Sequence, residues 1–145
     1  MLFLGTFDYA MDERGRLPLP PRYRDAFREG VVLSQGSPDK CLRLYAEAAF
    51  TALASEYMAE SALRRAGRDL RSVFFSRSVH AELDKQNRIL IPAPLREYAE
   101  LSAKVNVVGA GEYLEIWSPT IYEAEMARVD AALPAMLESV ESRRQ

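Results

Sequence analysis

Two aspartates stand four residues ahead of two arginines, 72 positions apart: Asp12 before Arg16, and Asp84 before Arg88. Two equivalent carboxylates sharing one proton would make an acid–base dyad. The arginines argue against it, because a guanidinium across a tight turn lowers a carboxylate's pKa and keeps it anionic. The favoured reading is a turn-closing Asp–Arg pair in each copy that orients the arginine. Other catalytic chemistry finds few residues to work with. A Ser or Cys nucleophile usually wants a neighbouring base. His80 is the one imidazole, it falls in a predicted strand, and no Gly-x-Ser-x-Gly elbow exists. A Gly-x-x-x-x-Gly-Lys phosphate loop is also missing, and Gly109-Ala110-Gly111 belongs to a hairpin turn rather than a dinucleotide fingerprint. With Cys41 the sole cysteine, neither a disulfide framework nor a Cys/His zinc site is expected. The expectation is a non-enzyme without metal or cofactor.

Arginine offers different chemistry. Its planar fork donates two parallel hydrogen bonds to a phosphate or to the guanine edge. Five arginines fall within Asp12–Arg28, against three acids. Arg14 and Arg16 flank a turn tip, and Arg22 and Arg24 follow one helix turn later with Tyr23 between them. A hairpin tip followed by a helix start could put several guanidiniums on one face. The alternative is a solvated charged surface, half neutralised by Asp12, Glu13 and Asp25. The second copy has Gln86 and Pro94 where the first has Arg14 and Arg22. Residues 1–72 carry eleven basic and ten acidic side chains, residues 73–145 eight and eleven. The net charge of −2 argues mildly against nucleic acid, but the positive charge is local. One basic and one acidic copy suggests that the first reads DNA while the second supports or oligomerises.

The elements that must position these residues repeat as well. At the same offset, Leu17-Pro18-Leu19-Pro20 meets Ile89-Leu90-Ile91-Pro92, and Leu42-Arg43-Leu44-Tyr45 meets Leu114-Glu115-Ile116-Trp117. The offset is read as holding without a gap for about 45 residues. Two units follow, 5–47 and 77–119, with a helical connector over 48–76 and a C-terminal helix and tail over 120–145. Two copies are too few for a solenoid, so they are expected to form one pseudo-symmetric domain. In each unit a strand (Thr6–Met11, Ser78–Leu83) leads into a turn whose equivalent residues are Gly15 and Asn87, both tolerant of positive φ. A short strand ending at Pro20 or Pro92, a short helix, a hairpin and a longer helix complete the unit. The connector is read as a helix over Ser61–Ser72 despite Gly67, and the chain beyond Leu137 as frayed. At 145 residues with 48% apolar content, one globular domain is expected. No apolar run reaches the ~20 residues of a membrane span, no basic n-region opens the chain, and a cytosolic setting is expected.

The repeated motif resembles the MraZ family of bacterial transcriptional regulators. The matching segments are Asp12-Glu13-Arg14-Gly15-Arg16-Leu17-Pro18-Leu19-Pro20 with Arg22-Tyr23-Arg24, and Glu82–Pro92 with Leu95-Arg96. Val105–Gly109 and Leu114-Glu115-Ile116-Trp117 resemble the family too, while Asn87 stands where the family often has glycine. The resemblance implies an α+β, β-rich fold: two tandem swapped-hairpin units of SpoVT-AbrB type in one pseudo-twofold, barrel-like body with flanking helices. It implies a homo-oligomeric ring, cytoplasmic and nucleoid-associated, that binds short direct repeats in double-stranded DNA upstream of its own division and cell-wall operon. Family DNA contact maps onto Arg16, with Arg14, Arg22 and Arg24 on matching positions nearby. Asp12, Arg16, Asp84 and Arg88 are the motif pairs. No membrane or small-molecule partner is indicated. The competing expectation is an oligomeric protein-interaction module, antitoxin- or adaptor-like, without specific DNA binding.

Overall fold

The computed structural model describes residues 1–145. Strand β1 (Thr6–Ala10) alternates its side chains and runs into the Asp12–Arg16 turn. Strand β2 (Arg16–Pro18) is short because Pro18 and Pro20 have no N–H to give a ladder. A 3₁₀ helix, Pro21–Phe27, buries Tyr23 and Phe27 on one side. The hairpin β3 (Val31–Gln35) and β4 (Leu42–Ala46) leads into helix α1 (Glu47–Met58). After α2 (Arg65–Ser76) the order recurs with β5 (Ser78–Ala81), β6 (Arg88–Leu90), α3 (Ala93–Tyr98), β7 (Lys104–Gly109) and β8 (Leu114–Trp117). Helix α4 (Pro119–Arg144) closes the chain.

Six strands form one sheet in the order β1-β7-β8-β4-β3-β5, and β2 and β6 form a separate two-stranded ribbon. The first strand of each repeat pairs with the hairpin of the other: β1 with β7, and β5 with β3. Exchanging the repeats turns the strand order into itself. The registers locate the pseudo-twofold axis. Arg43 pairs with Glu115, and Leu17 with Ile89, each residue lying opposite its own counterpart. Two expectations change here. The sheet does not close into a barrel, since β1 and β5 are its edges and the three-residue proline-flanked ribbon cannot bridge them. Nor is the offset constant. Leu33 opposite Leu44 corresponds to Val107 opposite Ile116, 74 positions apart, because the second hairpin has a shorter turn. The chain is mixed α+β, with the sheet as its main layer.

The ribbon packs on one face of the sheet. Leu17, Leu19, Ile89 and Ile91 from the ribbon segments are fully buried with Leu33, Leu42, Leu44, Leu114 and Ile116 from the sheet. Alternation sends Tyr45 and Trp117 to the other face, where they meet Phe50 of α1 and Tyr122 of α4. Helix α2 begins at Arg65, later than expected, and runs to Ser76. Its Gly67 packs so closely on Ser61 that a Cβ would lie 2.1 Å from the Ser61 carbonyl oxygen. The expected fraying after Leu137 does not occur. Helix α4 continues to Arg144, with Glu138, Glu141 and the two terminal arginines as helix formers and Arg143 and Arg144 beside the negative end of its dipole.

Candidate nucleic-acid interface

Each aspartate builds its turn from backbone donors. Asp12 Oδ1 accepts the N–H groups of Arg14 (2.9 Å) and Arg16 (2.8 Å), and Asp84 Oδ1 those of Gln86 (2.8 Å) and Arg88 (2.9 Å). The Gly15 and Asn87 N–H groups bond back to the Asp12 and Asp84 carbonyls, at φ of 88° and 59°. Both carboxyls are held below the ordinary Asp value. For Asp12 the Arg16 N–H is the first cause, opposed by burial and helped by the Arg14 N–H and the guanidiniums of Arg16 and Arg88. For Asp84 the Arg88 N–H comes first. Anions held this way do not shuttle protons, which removes the dyad. The main cause is the backbone, not the neighbouring guanidinium inferred from spacing.

The side-chain pairing is asymmetric. Arg88 Nε bonds Asp84 Oδ2 at 3.0 Å, and Arg88 Nη1 lies 3.5 Å from Asp12 Oδ2. One arginine thus spans both carboxylates. The Asp12–Arg16 side-chain pair expected in the first copy does not form: Asp12 holds Arg16 only through its backbone N–H. Arg16 makes no ion pair at all. On the ribbon, Leu17 and Ile89 point inward, so Arg16 beside Leu90 and Pro18 beside Arg88 point outward. Leu90 is 53% exposed.

The other arginines divide. Arg14 is exposed on the turn and Arg22 at the start of the 3₁₀ helix. Arg28 is tied to Asp25 at 2.5 Å. Arg24, grouped with Arg14, Arg16 and Arg22 by its place in the chain, is set apart. It is half-buried, its Nε is enclosed without a partner, and it lines a hollow with Asp84 and Asn87 of the opposite turn. Its counterpart Arg96 lies over Gly15, where a Cβ would come within 2.0 Å of the guanidinium. Arg96 thus packs on the opposite repeat's turn, while Arg24 faces a hollow that it shares with the other turn. Reading along the chain missed Leu90 and Lys85, which the ribbon and the second turn expose. Outward alternation from the buried Ile89 was the available signal for Leu90.

The remaining reactive groups lie elsewhere. His80 is exposed on β5, with Nδ1 3.5 Å from Glu47 Oε2. Burial first, then the Glu115 charge, pushes the Cys41 thiol up to about 12. No cluster of three His, Cys, Asp or Glu side chains could hold a metal ion. No helix is long and apolar enough to cross a membrane.

A sequence profile of the family described as "MraZ protein, putative antitoxin-like" matches residues 2–71 and again residues 74–138. Among curated relatives, the protein named "Transcriptional regulator MraZ" from Thermomicrobium roseum is 39% identical over 135 residues, covering 93% of this chain and 94% of its own. The proteins of the same name from Nocardioides sp. and Roseiflexus sp. are 40% and 37% identical, each alignment covering 90% of both chains. With the profile matching twice and near-full-length relatives above 35% identity, the chain belongs to the MraZ family.

Proposed function

We propose that this chain is a sequence-specific DNA-binding regulator of transcription whose contact surface is the outer face of the β2–β6 ribbon. The observation that carries the reading is the contrast between Arg16 and Arg88: equivalent residues, one with no carboxylate at ion-pair distance and the other held by two. A two-stranded ribbon fits the major groove, where an unpaired guanidinium can read a guanine edge. In this reading Arg16 meets a base, Arg14 and Arg22 meet phosphates, and Arg24 faces the hollow it shares with the other turn. The chain acts as two SpoVT-AbrB-like units, 5–47 and 77–119, the second mainly supporting and oligomerising. Its setting is the cytoplasm and nucleoid, on short direct repeats upstream of its own division and cell-wall operon. The relatives' name, transcriptional regulator, supports the general role.

A few arginines per chain bind DNA weakly. A homo-oligomeric ring that engages successive repeats supplies avidity of roughly 10²–10⁴ over one site. The test is fluorescence anisotropy of the purified protein with labelled duplex from its own upstream region, against scrambled duplex, over a salt series. Specific binding gives a preference of about 10³ or more and a steep log–log salt slope. Arg16→Ala is expected to cost ~1–3 kcal/mol and relax base discrimination, whereas Arg22→Ala weakens all sequences alike and flattens the slope by about one unit. The second reading, an antitoxin- or adaptor-like protein module, is favoured by the wording of the family description. It predicts no duplex preference and an Arg16→Ala variant that functions normally.

A further inference from the structure

On the sheet face opposite the ribbon, α1 and α2 cover β3 and β4 incompletely and leave a cavity of about 600 Å³. Small-molecule sites span roughly 300–1,000 Å³. Its walls are aromatic: Tyr57 and Phe74 stack with centroids 3.8 Å apart, and Tyr45 and Tyr113 lie 5.2 Å apart. Among these rings stands Arg43 of β4, its guanidinium carbon 4.9 Å from the centre of Tyr113.

Arg43 has no counter-ion. It makes no ion pair, and its Nε is enclosed without a hydrogen-bond partner. Glu115, directly opposite in register, is engaged elsewhere: it accepts Trp117 Nε1 at 3.3 Å and Cys41 Sγ at 3.9 Å. The other charged lining residues, Glu56, Arg77 and Glu112, are exposed at the rim. Arg43 shares a hydrogen bond with the Tyr45 hydroxyl, but no carboxylate balances its half-enclosed charge, and an anion supplied from outside would do so. Guanidinium favours a planar, two-oxygen acceptor, and the ring-lined walls favour an aromatic body.

We propose that this cavity binds a small aromatic carboxylate, with the carboxylate on Arg43 and the ring between the Tyr57–Phe74 stack and Tyr113. The site is separate from the ribbon and independent of any DNA contact. The test is titration calorimetry of the full chain with 2-naphthoate, and with neutral 2-naphthamide as the isostere. Expected is saturable binding of one naphthoate per chain, at least 10-fold weaker for the amide and for naphthoate with Arg43→Gln. Ala52→Phe, which fills the cavity from α1 without altering Arg43, abolishes binding. Circular dichroism checks that both variants fold; if Arg43→Gln does not, the amide comparison and Ala52→Phe still decide. Absence of saturable heat, equal affinity for the amide, or naphthoate binding undiminished in a folded Arg43→Gln protein overturns the proposal. So does a loss of assembly mass in Ala52→Phe with no naphthoate heat in the parent, which assigns the groove to subunit contacts.

Discussion

At the scale of single residues, the two aspartates give a measurable acid signature. Both carboxyls lie below their ordinary value of 3.8 in the folded chain. A depressed folded pKa stabilises above the unfolded value and loses that contribution as pH falls through the folded one. Melting temperature is therefore expected to drop as pH falls below about 3.8. Asp12→Asn and Asp84→Asn, which keep an acceptor but remove the charge, flatten that drop in melts between pH 7 and 2. Two turn residues with the same job differ in a second way. Gly15 has a φ of 88° and Arg96 and the Ile91 carbonyl close over it, so Gly15→Ala costs about 1–2 kcal/mol for the left-handed backbone plus the contact. Asn87, at φ 59°, is replaceable by glycine with little change. Urea unfolding of the two variants checks the difference.

Among the elements, α2 sets helix propensity against packing. Alanine is favoured over glycine inside a helix by about 1 kcal/mol. At position 67 the added methyl meets the Ser61 backbone carbonyl at 2.1 Å, which cannot turn aside like a side chain. Packing wins: Gly67→Ala is expected to destabilise by about 1–3 kcal/mol in equilibrium unfolding. A gain in stability would show that the Ser61–Arg64 segment yields freely. The ribbon is the other decisive element. Leu17 and Ile89 are fully buried on the pseudo-twofold axis, so Leu17→Ala and Ile89→Ala each cost about 2–5 kcal/mol. Similar losses in the two variants, measured by denaturant titration, are what the shared axis requires.

For the whole molecule, the exchange of first strands makes the repeats interdependent. β1 completes its ladder only on β7, and β5 only on β3. Residues 1–72 or 73–145 produced alone are expected to lack a folded core, and the two fragments mixed are expected to regain it. Amide spectra of each fragment and of the mixture test this, and a well-dispersed spectrum from either fragment alone refutes it. Assembly brings a further expectation at this scale. If the ring multiplies weak contacts, a duplex with several repeats binds roughly 10²–10⁴ times more tightly than one with a single repeat. Equal affinities in the anisotropy assay would remove avidity from the proposal.

Local chemistry made much of this chain legible from residues alone. The aspartate turns follow from Asp, Gly and Asn in their places, and the short ribbon strands from prolines that cannot donate. The strand–helix order follows from alternation and helical spacing. The family is written in the doubled Asp-x-x-x-Arg motif. What sequence could not decide was who pairs with whom. Strand exchange, the open sheet and the two-residue slip between β3 and β7 depend on contacts between residues far apart in the chain, which local pattern does not encode. The same holds for charge: Arg16 and Arg88 look alike in sequence, and only the antiparallel ribbon sets Arg88 between both carboxylates and leaves Arg16 open. Arg24 and Arg43 follow the same logic. Each reads as a surface arginine until tertiary packing encloses its Nε, because burial is a property of the neighbours that folding brings.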